Sequence, residues 1–471
     1  MKIFVACVEV ACWANDNDAL IPELWAMEAL RTLGSNMVMG ALVHRDYESL
    51  VAAHGDVVNC SRPSDFSGKR KTDDDNITVQ DAVSSNIRVP LDQHIHVSFK
   101  IKDGELSKAL PDLVERYLEP AARECAEKVD QVLCGQVANL LIDGSTGVGG
   151  MQLMTKTNAS DYVLAANTQL DLNRAPKAGR NLVLGPRAQQ AALGADLFVS
   201  AEKRGDAGTA LRSASLGSVY GLDSFMDQNV NYRASTTAEQ EIGVADAGGA
   251  LVGATTLNST VTFASVVVGD YLDVAGKVYR ITAASDTGGD LDATLDRGLE
   301  AAVTAGDPVI HYPSGDVNFG AGYAAGYGKE IVVHGTAADK NPAVGTIVTF
   351  GTGASSHSYT VIATTVNSTT ETQLLLDRPL DAAIVDTQAC FLYPAGGVNM
   401  AFTRDAIALV SRPLALIPSQ SGAASFVASF DGLSMRVTMQ YDATAQGMIV
   451  TFDLLCGVAI LDERLASILW S

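Results

Sequence analysis

The feature that most restricts this chain is an internal duplication. Leu295–Gly315 reads LDRGLEAAVTAGDPVIHYPSG and Leu376–Gly396 reads LDRPLDAAIVDTQACFLYPAG, with Leu, Asp, Arg, Leu, Ala, Ala, Tyr, Pro and Gly identical in register. Upstream, GKVYRITAAS from Gly276 matches the style of SHSYTVIATT from Ser356. Each copy therefore holds several strands within a period of about 80 residues, and two small β-barrel or sandwich units are predicted. The whole block from about Ser235 to Gly396 is rich in Thr, Val, Gly and Ala and poor in helix formers. Because mixed α/β patterning stands on both sides of it, the block reads as an insertion.

Ahead of the block, Ile21–Leu33 places Leu24, Met27, Leu30 and Leu33 three apart, with Pro22 at the start and Gly34 after the end, which predicts a short amphipathic helix. From Val89 to Ile101 apolar residues alternate with polar ones, including His94, His96, Ser98 and Lys100, which predicts a strand with one wet face. A partner strand near Asp56–Arg62 would make a long hairpin whose tip carries Lys69, Arg70, Lys71, Asp73, Asp74 and Asp75. Such a hairpin has little core of its own, so its apolar face needs a partner, and a neighbouring subunit could supply it.

The strongest helical pattern runs from Leu110 to Leu141, through Leu113, Leu118, Ala122, Cys125, Val129, Val132, Leu133 and Val137. Glu119 with Arg123 and Glu124 with Lys128 add acid-before-base pairs on the outer side. Pro120 is expected to kink this helix or divide it. After a glycine-rich turn at Gly144–Gly150, the pattern predicts a buried strand at Asn181–Leu184, a helix at Arg187–Leu193 and a strand near Ser218–Tyr220. Beyond the insertion, strand patterns at Phe426–Phe430, Met435–Tyr441 and Met448–Leu455 lead to an apolar stretch through Trp470, expected to dock against a core or a neighbour.

Composition narrows the function. The chain has 471 residues, with 33 Lys+Arg against 54 Asp+Glu and a formal charge of −21. A polyanion of this size gains no counterion-release energy from wrapping DNA, so a sequence-reading DNA binder is not expected. Charged residues are only 18% and apolar ones 47%, so disorder is excluded and part of the surface is expected to meet other protein. The cysteines, Cys7, Cys12, Cys60, Cys125, Cys134, Cys390 and Cys456, are odd in number and lack paired spacing, which argues for reduced thiols rather than a disulfide framework. The apolar run Ile3–Val8 is interrupted by Glu9 and followed by no clear cleavage segment, so it reads as an N-terminal arm and not a signal peptide. No stretch approaches the roughly 20 apolar residues of a membrane span.

Chemistry-bearing residues do not converge. His94 and His96 share a strand face but lack Cys, Asp or Glu at ligand spacing. Asp73, Asp74 and Asp75 are consecutive, unlike the alternating ligands of a calcium loop. Gly144–Gly150 has no Lys-Ser/Thr after it and is not a phosphate cradle. Glu119, Glu124 and Glu127 read as a solvated helix face, and Lys69, Arg70 and Lys71 as charge pairing within the loop or across a subunit boundary. No catalytic residue, cofactor site or metal site is expected.

The order of parts carries a resemblance. The stretches are LIPELWAMEALRTLGSNMVMGALVHRDYE from Leu20, GDVVNCSRP from Gly55, NITVQD from Asn76, VPLDQHIHVSFKIKD from Val89, SLGSVYGLDSFMDQNV from Ser215, RDAIALVSRPLAL from Arg404, and LSMRVTMQYDATAQGMIVTFDLLCGVAILDERLA from Leu433. In this order the chain resembles the major capsid proteins of tailed bacteriophages, the α+β Hong Kong 97 coat fold, and within them the podovirus-type proteins with an inserted β domain. The likeness covers about two thirds of the chain, all outside the insertion. It implies an N-terminal arm and short helix in 1–50, an extended E-loop hairpin in 51–106, the spine helix of a P-domain in 107–143 and the first part of an A-domain in 144–235. It further implies an inserted, barrel-like all-β domain in 236–396 and a return to the A- and P-domains in 397–471. Two repeats of the insertion, about 236–315 and 316–396, depart from the family's usual single barrel.

The resemblance also implies pentamers and hexamers of this chain in an icosahedral shell around double-stranded DNA, bound without sequence specificity. Scaffolding protein, portal and a decoration or cement protein are its implied partners. The implied location is the virion capsid, assembled in the cytoplasm of a bacterial host, with no membrane. Two other readings remain open on the sequence: an encapsulin-like nanocompartment shell, and a surface β-repeat adhesin suggested by the duplicated block. An enzyme comes last, for want of a catalytic set.

Overall fold

The computed structural model describes residues 22–45, 57–62, 66, 68, 70–71, 79–81, 85–102, 117–140, 151–152, 154–200, 210, 213–233, 240–243, 249–259, 267–275, 277–287, 290–299, 301–312, 314–334, 342, 344–351, 356–368, 371–393, 396–417, 423–430, 433–444 and 446–470. The predicted arm through Asp18, the Asp73, Asp74, Asp75 run, the Gly144–Gly150 turn and the first residues of the predicted helix from Leu110 lie outside them. The chain divides into two compact units: 1–35, 94–125 and 413–455 form the first, and 36–93, 126–412 and 456–471 the second.

In the first unit, helix α1 (Pro22–Asn36) buries Ala26, Ala29, Leu30 and Leu33, while Met27 is 62% exposed. The predicted apolar stripe included Met27. Three-residue spacing falls short of the 3.6-residue turn, so a strict Met27, Leu30, Leu33 row winds around the helix instead of lying on one face. Strands β23 (Ala423–Phe430), β24 (Leu433–Asp442) and β25 (Gly447–Ile460) form an antiparallel meander, with β3 (Gln93–Lys102) also pairing β25. Phe99 on β3 stacks on Phe452 and Tyr117, at 5.9 and 5.7 Å. Gly447 allows this approach, because a Cβ there would stand 2.6 Å from the Ile101 carbonyl oxygen.

The predicted strand Val89–Ile101 is two strands. β2 (Ser85–Pro90) ends at Pro90, which has no N–H for a ladder, and β3 begins at Gln93. On β3 the expected alternation holds, with His94, His96 and Ser98 exposed and Ile101 buried. In the second unit, β2 pairs antiparallel with β1 (Val57–Arg62), from Val57 opposite Pro90 to Arg62 opposite Ser85, as predicted for the hairpin. Its base buries Val58, Cys60 and Val89 against Val410, with Ala459 and Leu461 alongside. The partner of this part of the hairpin is therefore the same chain, not a neighbour.

Helix α3 (Glu119–Leu140) runs from the first unit into the second and is about 33 Å long at 1.5 Å per residue. Pro120 lies in its first turn, where a missing N–H costs nothing, after a wider π-type turn at Tyr117 and Leu118. It marks a start rather than a mid-helix kink. Arg123, Glu124 and Lys128 are exposed as predicted, although Lys128 Nζ donates to Gln131 Oε1 at 3.0 Å.

The α/β part of the second unit has strand order β26-β21-β5-β7-β6: Ala466–Trp470, Gly396–Thr403, Arg180–Leu184, Leu222–Met226 and Ser218–Val219. Helices α4 (Ala159–Leu172), α5 (Pro186–Gly194) and α6 (Asp196–Val199) cover it through Val163, Ala166, Leu170, Ala192 and Phe198. The patterning of the sequence did not point to α4, whose Ser160, Asn167 and Thr168 are weak helix formers. Trp470 is 3% exposed, and its N–H donates to Tyr162 Oη, so the apolar end of the chain docks on its own sheet.

The predicted β-rich block forms two sheets. The first has order β10-β13-β12-β11-β14-β9: Thr256–Ser259, Asp290–Leu295, Lys277–Thr287, Tyr271–Val274, Pro308–Tyr312 and Gln240–Gly243. The second is a closed barrel, β15-β16-β19-β18-β17-β20: Gly315–Val317, Ile331–His334, Glu371–Leu376, His357–Val366, Ile347–Phe350 and Ala389–Leu392. Strand for strand, β10, β13, β12, β11, β14 and β9 occupy the places of β16, β19, β18, β17, β20 and β15. Even the irregularity repeats: the register shifts between Ile281 and Ala283 on β12, and between Val361 and Ala363 on β18. The barrel closes through Asp316 with His334 and Val317 with Val333. In the first sheet β9 and β10 end at Gly243 and Ser259, and the residues that follow them lie outside the described residues.

Candidate functional site

The side chains singled out for chemistry do not assemble. Among the described residues there is no group of three or more His, Cys, Asp and Glu able to hold a metal ion. His94 and His96 are exposed with ring centroids 6.4 Å apart. His94 Nε2 stands 3.7 Å from Asp453 Oδ1, but Asp453 is already held by Arg436, whose Nη2 donates to Oδ2 at 2.7 Å. Cys60, Cys125, Cys134, Cys390 and Cys456 are buried free thiols. Burial pushes Cys125, Cys390 and Cys456 up to about 12, so they stay protonated and are poor nucleophiles. A surface cleft of about 210 Å³ beside β7, lined by Gln189, Ser215, Leu216, Phe225 and Met226 among others, has no titratable side chain among the described residues of its wall. It is smaller than the roughly 300–1,000 Å³ of ordinary ligand sites.

What the fold does build with care is the seat of the barrel. The barrel corner Asp377–Arg378, at the end of β19, packs on α3. Arg378 is 4% exposed; its Cζ sits 4.4 Å over the Tyr359 ring, and Nη2 donates to the Ser358 carbonyl at 2.6 Å and to Asn139 Oδ1 at 3.2 Å. Nη1 reaches Asp377 Oδ2 at 3.1 Å, and Asp381 Oδ2 lies 3.2 Å from Nη2. Asn139 Oδ1 also accepts the Ser358 N–H at 3.1 Å. One turn earlier on α3, Gly135 leaves the space that Asp377 Oδ2 fills; a Cβ there would collide with it. A buried guanidinium is tolerable here because each face of the fork meets an acceptor or a ring.

The matching corner of the first sheet, Asp296–Arg297, keeps its internal contacts. Arg297 Cζ lies 4.3 Å over the Tyr279 ring, and Nη2 donates to the Val278 carbonyl at 2.7 Å. Its side chain is 27% exposed and that of Asp296 37%. The strand position matched to Ser358 is Val278, and there the grip is a backbone ladder: β4 (Met151–Gln152) pairs with Lys277 and Val278. Both sheets are thus held at the same point of equivalent strands, one by Asn139 and one by β4. Neither Gly135 nor Asn139 was singled out by the sequence; a glycine four residues before an asparagine inside a helical pattern is the signal that could have found them.

Apolar surface is left on the hairpin and elsewhere. Phe66 and Val79, beyond the buried base of β1 and β2, are 63% and 85% exposed. Leu172 at the end of α4 is 71% exposed. Of the predicted tip charges, Arg70 and Lys71 are described and exposed, while Lys69 is outside the described residues.

No family model matches the chain, and no curated protein does. Among solved structures it is similar to one from Mycobacterium phage Che8, at 12% identity and a TM-score of 0.43, over 92% of this chain and 90% of that one. It is similar to the capsid structure of the cyanophage P-SCSP1u, at 10% identity and a TM-score of 0.41, over 89% of this chain and 84% of that one. For the capsid structure of Staphylococcus phage Andhra the values are 7% and 0.37, over 91% and 85%.

Proposed function

We propose that this chain is a shell protein, the major capsid protein of a tailed phage, assembling as pentamers and hexamers into an icosahedral container for double-stranded DNA. The observation that carries the reading is the hairpin: its base is cored by the same chain, yet Phe66 and Val79 further out remain in water. Large apolar side chains exposed beyond the ends of a two-stranded ribbon are stabilised only when a neighbour covers them. Head-to-tail contacts of one kind close into rings of five or six, and many modest contacts across a shell add to a strong one.

The order of elements supports the same reading: hairpin, long helix, α/β layer, β insertion and β return follow one another as the sequence resemblance implies. In this reading 51–106 is the E-loop, 107–143 the spine of the P-domain, and 236–396 an insertion made of two copies of one β unit. The shared strand order, the repeated register shift and the paired Tyr279–Arg297 and Tyr359–Arg378 stacks support the duplication. Scaffold, portal and a decoration protein are the partners proposed, and the net charge of −21 suits a wall that encloses DNA without adhering to it.

Electron microscopy of the expressed chain, with and without a scaffold candidate, tests the proposal. Closed shells, or isolated pentamers and hexamers, are expected. A stable monomer under all assembly conditions would remove it.

A further inference from the structure

We propose that Asp130 on α3 is a proton-operated latch: its carboxyl holds the backbone turn Val38–Gly40, and the hold tightens as the solution is acidified. The geometry is that of a buried acceptor facing a row of donors. Asp130 is 1% exposed; Oδ2 accepts the Val38 N–H at 2.7 Å and Oδ1 the Gly40 N–H at 3.0 Å, with the Met39 N–H also directed at it. These residues are the turn into the short helix α2 (Met39–Leu42), and Gly40 is packed against Met37 so closely that a Cβ would overlap it.

Among the described residues, the groups facing the carboxyl come from three elements. The turn supplies backbone N–H groups. From its own helix comes Cys134, a thiol that burial raises well above its ordinary value, so it does not titrate near neutrality. From the loop after β7 comes a second acid, Asp227, 2% exposed, which accepts the Asn229 N–H at 2.8 Å and lies 3.9 Å from Cys134 Sγ. The charged neighbour that bears most on Asp130 is therefore another carboxylate and not a cation. Burial is the chief reason that its carboxyl is lifted from 3.8 to about 7; the Val38 and Gly40 bonds oppose this and Asp227 adds to it.

When the turn lifts away, Asp130 meets water and returns towards its ordinary value, so opening releases a proton between about pH 4 and pH 7. A group whose folded value is raised contributes its full stabilisation below the unfolded value and loses it as pH rises through the folded one. Each unit of acidification in that window makes opening about tenfold rarer.

Amide hydrogen exchange of the full chain, expressed as protection factors to remove the intrinsic pH dependence, reads this directly. Protection at Val38, Met39 and Gly40 is expected to rise about tenfold per pH unit from pH 7 to pH 5, and to lose that slope in Asp130→Asn. Asp227→Asn is expected to lower the midpoint. Equal protection across that range in the native chain, or an unchanged slope in Asp130→Asn, overturns the latch. If Asp130→Asn does not fold, the carboxyl carbon resonance of Asp130 in the native chain decides: a midpoint near 7 is expected, and one below 5 overturns it.

Discussion

The two sheets of the β-rich block share a strand order and a Leu-Asp-Arg corner, yet the corner of the barrel is sealed while that of the first sheet stays in contact with water. Arg378 and Arg297 make the same ring contact and the same carbonyl bond. What differs is the helix over one of them. The lesson is that a motif's worth is set by what covers it: in water the corner is a local brace, and under α3 it becomes a buried ionic joint whose partners must all be present.

Substitutions can break that comparison in graded steps. Arg378→Ala leaves the buried carboxylate of Asp377 without its cation, and the exposed Asp381 without its partner, and is expected to cost about 3–5 kcal/mol in urea unfolding. Gly135→Ala should improve helix propensity but drive a methyl group into Asp377, for a net loss of about 1–3 kcal/mol. In a double-mutant cycle with Asp377→Ala that loss should largely vanish, and a purely additive result would show that the glycine has another purpose. Asn139→Ala removes the acceptor shared by Ser358 and Arg378, and a loss of about 1–2 kcal/mol is expected in the same assay. Arg297→Ala, by contrast, should shift thermal unfolding by less than about 1 kcal/mol. A large effect there would mean that the corner makes a contact beyond the ring and the Val278 carbonyl.

Much of this architecture was legible beforehand. The likeness of the two sheets could be read from Leu295–Gly315 and Leu376–Gly396 because both segments keep the residues that brace the corner. The hairpin strands and α3 were legible from periodicity, which reports burial on one face. What could not be read was long-range. The break at Leu91 and Asp92 depends on β2 and β3 choosing different partners, and only Pro90 hinted at it. Helix α4 is stabilised by its packing through Val163, Ala166 and Leu170, and its own propensity is weak. The role of Gly135 and Asn139 exists only because a strand more than two hundred positions later is brought against them.

A consequence for synthesis follows from the sheet that the insertion interrupts. Val183 pairs with Met400 and Asn399 with Leu469, so β5 waits for a neighbour that is translated only after both β units. Strand pairs inside each unit are close in sequence and close their loops at far lower entropic cost. On the ribosome the guest is therefore expected to be finished before the host that carries it. Until β21 and β26 emerge, the open edge of β5 is a surface for chaperones to shield.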